Sequence, residues 1–368
     1  MYLKEFDKQQ LATLRQWCGE ARHVVLLSHM NADGDACGSL LGMTLQLDHA
    51  AANAISISPI LPNGCPRNFL WLPQAHRILS GEKERTRCEQ LIAEADLIIC
   101  LDINNSSRTD FLQDALRNAQ GHKVLVDHHH NPAVDEFQLI YSDPEISSTC
   151  EYVVWLSQAL WGDQYFNADV ARCLYTGLRT DTGGFAFSCS QPSCFEAAAQ
   201  LVAFDINPAD IHNHIANTFT VNRMQFYGYA ISQRLEIYPS KQTALFAFSL
   251  DDQRRFGVDD EDMEGLVNYT LMMSDIQIGA LLREKEGRTK ISFRCKSGDV
   301  NILAQQLGGG GHTKAAGATC NMSFADTLHS VKQLLGVLNL QPVAPLSESY
   351  NHTALHQDQG KERLSNKE

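Results

Sequence analysis

Four short apolar runs punctuate the first half of the chain: residues 23–28 (HVVLLS), 54–60, 97–103 (LIICLDI) and 123–126 (KVLV). Helical patterns lie between them, the first over 38–49. Continuous apolar strands separated by helical segments predict a parallel sheet buried on both faces. Helices are predicted next at 146–161, 168–179 and 193–204. Asn207-Pro208 places a capping residue before a proline at the first helical position and opens a helical stretch to about 236. The pattern then predicts strands at 243–250, 276–283 and 289–295, a glycine run at 308–311, and a last helix over 324–338. The fold class expected is α/β. A larger N-terminal domain (1–205) carries a parallel β-sheet flanked by helices, a helical connector follows (206–237), and a smaller α/β C-terminal domain (238–345) precedes a mobile polar tail (346–368).

Composition narrows the class without changing this picture. At 368 residues, 44% hydrophobic and 20% charged, the chain suits two globular domains and excludes disordered and collagen-like classes. No apolar stretch approaches the roughly 18 residues of a membrane span, and the first ten residues carry no apolar core of the signal-peptide kind. A cytoplasmic protein without membrane contact is expected. The net charge of −13 argues against a nonspecific grip on long duplex nucleic acid, which needs many cations on phosphates. The 11 cysteines are odd in number and none forms a C-x-x-C pair, so they are expected to be reduced core residues.

Chemistry gathers where the strands end. The first run leads into His29, Asn31, Asp33 and Asp35; the third carries Asp102; the fourth leads into Asp127, His128, His129 and His130. Asp181 follows the 168–179 helix. In open parallel sheets ligands bind at the carboxyl ends of the strands, so these groups converge on one edge. Singly, each Asp is more often a cap or turn residue and the histidines a solvated loop. Together, four carboxylates would repel one another, and divalent cations remove that problem. Mixed carboxylate and imidazole ligation suits manganese, iron or cobalt better than magnesium or calcium. Two such cations about 4 Å apart, with Asp102 able to bridge them, would suit phosphoester hydrolysis.

A second concentration lies between 281 and 317. Seven cations (Arg283, Lys285, Arg288, Lys290, Arg294, Lys296 and Lys314) stand against Glu284, Glu286 and Asp299. Strand alternation puts Lys290, Ser292 and Arg294 on one face and Ile291 and Phe293 on the other. The glycines at 308–311 can form an anion-binding nest and are expected to lead into a helix N-terminus, with His312 donating to the same anion; a flexible loop is the bland alternative. A metal centre on one domain and a phosphate reader on the other imply a cleft spanned by a short ligand. His212 and His214 are expected to be ordinary connector residues.

Asp127-His128-His129 resembles the signature triplet of the DHH phosphoesterase superfamily, and His29-Met30-Asn31-Ala32-Asp33-Gly34-Asp35 resembles its first motif. Asp102 and Asp181 are similar to its second and fourth, and the glycine run with His312 resembles the GGGH motif of the associated DHHA1 domain. The two-domain layout looks like the nanoRNase and phosphoadenosine-phosphate phosphatase branch. The resemblance implies two Mn2+ ions, with Co2+ or Mg2+ as alternatives. His29, Asp33 and Asp102 would hold one; Asp35, Asp102, His128 and Asp181 would hold the other. It implies that Asp127 orients a histidine and that His129 faces the scissile phosphate. His130 receives no role. Arg108 is either a phosphate contact or a plain surface arginine. Arg294, Gly309, Gly310, Gly311 and His312 become candidates for the substrate's terminal phosphate or nucleotide.

The activity implied is hydrolysis of very short oligoribonucleotides, including linear dinucleotides, to mononucleotides, with nucleotide bisphosphates such as 3′-phosphoadenosine 5′-phosphate as further substrates. Polyphosphate hydrolysis is the alternative, and a non-catalytic nucleotide- or RNA-binding protein ranks below it. A nucleotide enzyme needs a base-stacking surface, for which Phe185 and Phe187 are candidates, with core packing slightly favoured for both. Exposed apolar residues on the connector leave a homodimer open.

Overall fold

The computed structural model describes residues 5–50, 55–311 and 313–343; the expected tail and His312 lie outside the described residues. The chain divides into two compact units, Met1–Thr218 and Phe219–Glu368.

In the first unit six strands, β1 (His23–Leu27), β2 (Ser56–Leu61), β3 (Leu79–Ser80), β4 (Leu97–Leu101), β5 (His122–Asp127) and β6 (Leu139–Ser142), form one sheet in the order β3-β2-β1-β4-β5-β6. Every pair of neighbours is parallel. Eight α-helices accompany them among the described residues: α1 (Lys8–Glu20), α2 (Gly34–Ala50), α3 (Arg85–Glu94), α4 (Gln113–Asn118), α5 (Thr149–Trp161), α6 (Ala168–Asp181), α7 (Pro192–Val202) and α8 (Pro208–Ala216). Successive strand residues serve opposite faces. Leu26, Ile99 and Val126 pack with Leu40, Val153 and Leu174 of α2, α5 and α6. Leu27, Ile98, Cys100 and Leu125 pack with Ile92 and Leu116 of α3 and α4. The apolar runs are continuous because both faces are covered. The winding reverses between β1 and β4, and at such a switch point the strand ends leave a crevice.

Helices α2 and α6 approach unusually closely. Gly34, Gly38 and Gly42 recur one turn apart on α2 and face α6. A Cβ at Gly38 would stand 2.5 Å from the Cys173 carbonyl oxygen, and one at Gly42 2.5 Å from Leu174 Cδ2. From the other side, a Cβ at Gly177 would meet Cys150 Sγ at 2.2 Å and Asp35 Cα at 2.9 Å. The stripe therefore fixes the start of α2, which carries Asp35, against the end of α6, which carries Asp181.

The second unit has strands β7 (Leu235–Tyr238), β8 (Thr243–Phe248), β9 (Ile278–Lys285), β10 (Arg288–Cys295), β11 (Gly310–Gly311) and β12 (Ala315–Cys320), in the order β11-β12-β10-β9-β8-β7. β8 and β9 are parallel, the other neighbours antiparallel. Its helices are α9 (Val221–Tyr229), α10 (Leu250–Phe256), α11 (Asn268–Leu271), α12 (Asn301–Gln306) and α13 (Phe324–Leu334). Ile291 and Phe293 of β10 enter a core with Ala304 and Val331, and Phe246, Phe248 and Leu281 enter another with Phe226.

Three expectations need correction. The stretch 206–237 is not one connector helix. Ile206 and Ile211 pack into the first unit's core and Phe226 and Tyr227 into the second's, so each unit claims its own helix. The break falls between the caps Asn217 and Thr220, and the end of the stretch becomes β7. The helix expected from 146 starts at Thr149, because the Ser148 side chain accepts the Glu151 backbone N–H and sets the cap there. The glycine run leads into no helix. Gly310 and Gly311 pair with Gly317 and Ala316 as an edge strand, and α12 precedes the run.

Candidate metal centre and active site

The crevice at the β1/β4 switch point collects the residues picked out by the sequence. His29, Asp33 and Asp102 present donor atoms within 4.8 Å of one another, and so do Asp35, His128 and Asp181. Asp102 also groups with His128 and His129, so through His128 it borders the second set. Asp102 is 2% exposed and sits just beyond β4 at φ 59°, a left-handed conformation that a non-glycine residue adopts only where its surroundings enforce it. Its Oδ2 lies 3.2 Å from His29 Nε2, while its Oδ1 lies 3.6 Å from His128 Nε2 and accepts a hydrogen bond from Thr149 Oγ1 at 3.1 Å. Burial opposes ionisation of Asp102, but the hydrogen bond and charge of His29, aided by His128 and His129, hold its pKa down at about 2.

Asp35 is 1% exposed and is clasped by the N-terminus of α5. Thr149 N–H donates to its Oδ2 at 2.6 Å and Cys150 N–H to its Oδ1 at 2.8 Å. That helix end is itself braced by Glu151, whose buried Oε2 accepts from the Ser147 N–H and hydroxyl. Asp33 caps α2, its Oδ1 accepting from the N–H groups of Asp35 and Ala36. Burial pushes Asp35 well above the usual carboxylate range, with Asp102, Asp181 and Asp33 adding to the rise. Burial likewise pushes Asp181 up to about 6, His128 opposing and Asp102 and Asp33 adding to it.

These features test whether the residues fit divalent cations. Four acidic groups packed this closely take up protons unless cations relieve them. The imidazoles are set to serve as ligands. His29 Nδ1 lies 2.9 Å from the Met30 carbonyl, so Nδ1–H donates there and Nε2 faces Asp33 and Asp102. His128 repeats the arrangement: Nδ1 points to the Ile146 carbonyl and Nε2 to Asp35, Asp102 and Asp181 at 3.9, 3.6 and 3.6 Å. A histidine ligand oriented through its other nitrogen is the usual device of metal sites. The donor set fits two cations.

His129 differs. Its Nδ1 lies 2.8 Å from Asp127 Oδ1, and its Nε2 lies 3.0 Å from Arg108 Nη1. Arginine only donates, so Nδ1 carries the proton and Nε2 accepts. Burial works to lower the His129 pKa, but the hydrogen bond to Asp127 and the charge of Asp102 outweigh it and the pKa is raised. Arg108 is thus brought to the edge of the centre rather than left on an unrelated surface. His130 offers its carbonyl to the Asn104 side chain.

Of the residues expected in the second unit, Arg294 is half-buried on β10, its Nη1 donating to the Phe293 carbonyl at 3.0 Å, and burial lowers its pKa. Lys290, Ser292 and Arg294 share the face away from Phe293, as alternation predicts. Gly309 and Gly311 are close-approach residues: a Cβ would stand 2.1 Å from the Gly317 carbonyl oxygen in the one case and 2.6 Å from Ala316 Cα in the other. His214 stacks on Trp71 at 4.5 Å, and His212 faces the Arg179 guanidinium. All eleven cysteines are free thiols. No described helix is long and apolar enough to cross a membrane.

Sequence reasoning missed the α5 terminus, where Thr149 and Cys150 hold Asp35. The signal was present: Ser148 and Glu151 have capping-box spacing ahead of an apolar run.

A parallel sheet with a carboxylate–imidazole centre at its switch point, followed in the chain by a second unit built on a mixed sheet, defines the class. Residues 23–178 match the DHH family, N-terminal domain, and residues 242–336 match the DHHA1 domain. The chain belongs to the DHH/DHHA1 phosphoesterase family. It is similar over 91% of its length to the crystal structure of an exopolyphosphatase-related protein from Bacteroides fragilis, with 31% identity, 98% of that chain covered and a TM-score of 0.86. It is 27% identical over 303 residues to the bifunctional oligoribonuclease and PAP phosphatase NrnA of Thermus thermophilus, covering 80% of this chain and 83% of that protein. The Bacillus subtilis protein of the same name is 25% identical over 303 residues, covering 80% and 88%.

Proposed function

We propose that the protein is a manganese-dependent phosphodiesterase that hydrolyses very short oligoribonucleotides to mononucleotides in the cytoplasm and also dephosphorylates 3′-phosphoadenosine 5′-phosphate. The observation that carries this reading is Asp102 at the switch point, whose two carboxylate oxygens face His29 of one donor set and His128 of the other, in a chain similar to oligoribonucleases over most of its length. His29, Asp33 and Asp102 would hold one cation, and Asp35, Asp102, His128 and Asp181 the other. When bound, a pair of divalent cations lowers the pKa of water and neutralises charge on phosphate oxygens.

The remaining tasks fall to the chain. The α5 terminus fixes Asp35 so that its carboxylate keeps one orientation. Arg108 supplies fixed positive charge at the rim, where it would donate to a nonbridging phosphate oxygen. His129, held by Asp127, would face the scissile phosphate and donate to its oxygen or to the leaving group. Donation from Nε2 requires the imidazolium, which the raised His129 pKa favours, and requires Arg108 to turn from Nε2 to the phosphate. Lys290, Arg294, Gly309 and the edge strand of Gly310 and Gly311, with His312, would take the terminal phosphate or nucleotide. Holding a short substrate by its end needs no long basic track and agrees with the net charge of −13.

Asp127→Asn should leave metal binding in place, because Asp127 belongs to neither donor set. It should lower kcat about 10- to 100-fold, because the neutral amide still accepts from Nδ1 but no longer supports a protonated His129 ring. Stopped-time assays beside Mn2+ titration separate the two effects; equal loss of both would show that Asp127 supports the metals instead.

The Bacteroides fragilis likeness favours a second reading, hydrolysis of polyphosphate. Product analysis separates the two. With Mn2+, mononucleotides from a 5′-phosphorylated diribonucleotide and intact short-chain polyphosphate are expected. Phosphate released from polyphosphate alone would overturn the proposal. Nucleotide binding without turnover of either would leave a non-catalytic binding protein.

A further inference from the structure

The segment after Asp181 is built in an unusual way. Gly183, Gly184, Phe185 and Ser188 all take positive φ, at 57°, 74°, 67° and 48°. Two of the four are not glycines, and such conformations persist where the surroundings enforce them. The enforcement is visible. Thr182 Oγ1 accepts the Phe185 N–H, and the Thr182 carbonyl accepts the N–H groups of both Ala186 and Phe187. Phe185 turns inward and stacks on Phe195 at 5.6 Å. Phe187 turns outward and is 68% exposed. Its ring lies across Gly183, where a Cβ would stand 2.5 Å from Phe187 Cδ2. The Arg179 guanidinium lies over the adjacent Gly184, 3.5 Å from the Cβ position there.

A flat apolar ring is therefore held in water across Gly183, itself two residues along the chain from Asp181, the last acidic donor of the metal centre, with a cation over the neighbouring glycine. An aromatic so placed has an open π-face. Nucleobases stack on such faces with little sequence preference, whereas polyphosphate has nothing to stack. We propose that Phe187 is a nucleobase platform that seats the base next to the attacked phosphate and makes the centre selective for nucleotides over inorganic phosphate chains. This rests on the nucleotide reading above and names the residue that would impose it. Of the two candidate aromatics, the exposed one takes the role; Phe185 is half-buried and packs against the core.

The test is a binding cycle that needs no turnover. Affinities of wild type, Phe187→Ala and Phe187→Tyr are measured by calorimetry for the 5′-phosphorylated diadenylate and for two analogues, each with one base replaced by an abasic residue. For wild type, removing one of the two bases should weaken binding roughly tenfold. In Phe187→Ala the same removal should change little, and Phe187→Tyr should restore the difference. Equal cost of base removal in wild type and Phe187→Ala, for both analogues, would overturn the proposal. So would loss of self-association in Phe187→Ala, measured by light scattering, with no change in the cycle; the ring would then belong to an interface. Failure of the nucleotide reading shows separately, as a wild type that binds the diadenylate no better than either abasic analogue.

Discussion

Asp102→Asn is expected to lower turnover with Mn2+ by more than about a hundredfold, beyond the upper end for a group that merely supports a ligand. The reason is its position between the two donor sets. Oδ2 faces His29 and Oδ1 faces His128, so neutralising one carboxylate weakens both sites. The asparagine amide would also turn a donor toward an imidazole whose Nε2 is set to accept a cation. Mn2+ titration by calorimetry should show both sites weakened. Asp33→Asn should weaken one, because Asp33 belongs to one set, and asparagine keeps the cap on α2. Circular dichroism should be unchanged in both variants. Two Mn2+ bound to Asp102→Asn with wild-type affinity would remove Asp102 from its shared role.

How much of this centre was legible depended on the kind of information each residue carries. The donors were legible because chemistry and strand periodicity coincide: apolar runs end in His or Asp, and a parallel sheet brings such ends together. Phe187 was legible as a candidate but not as exposed, since outward and inward aromatics look alike in a chain of left-handed turns. The clasp on Asp35 was not legible as a site, because its donors are backbone N–H groups of Thr149 and Cys150, and any residue supplies those. The 206–237 stretch misled for a related reason. Helical periodicity continues across residues 217–220, but two cores compete for it, and that competition is tertiary. The glycine run was expected to hold anions through its freedom; that Gly309 and Gly311 also stand in close contact with β12 was not legible. Composition cannot separate these uses of glycine.

Contact of the same kind makes Gly38→Ala the most informative substitution away from the donors. In an exposed helix this change stabilises by roughly 0.5–1 kcal/mol, because alanine is the better helix former. Here the added methyl would lie 2.5 Å from the Cys173 carbonyl oxygen and 3.1 Å from the Gly177 nitrogen, both backbone atoms. No rotamer change relieves that; α6 must move. Overpacking of this kind costs typically 1–3 kcal/mol, so a net loss of about 2 kcal/mol is expected, a fall in Tm of roughly 4–8 °C for a unit of this size. Gly19→Ala in α1, with nothing within 4 Å of its Cβ position, should be neutral or slightly stabilising and serves as the control. The displacement also reaches the metal centre, because α6 ends at Asp181, 3.6 Å from His128. Mn2+ affinity at the Asp35–His128–Asp181 set should fall while the His29–Asp33–Asp102 set, carried by other elements, keeps most of its own. A Gly38→Ala variant as stable as wild type, with both sites intact, would mean that α2 and α6 have slack between them and that the glycine stripe does not set the spacing of Asp35 and Asp181.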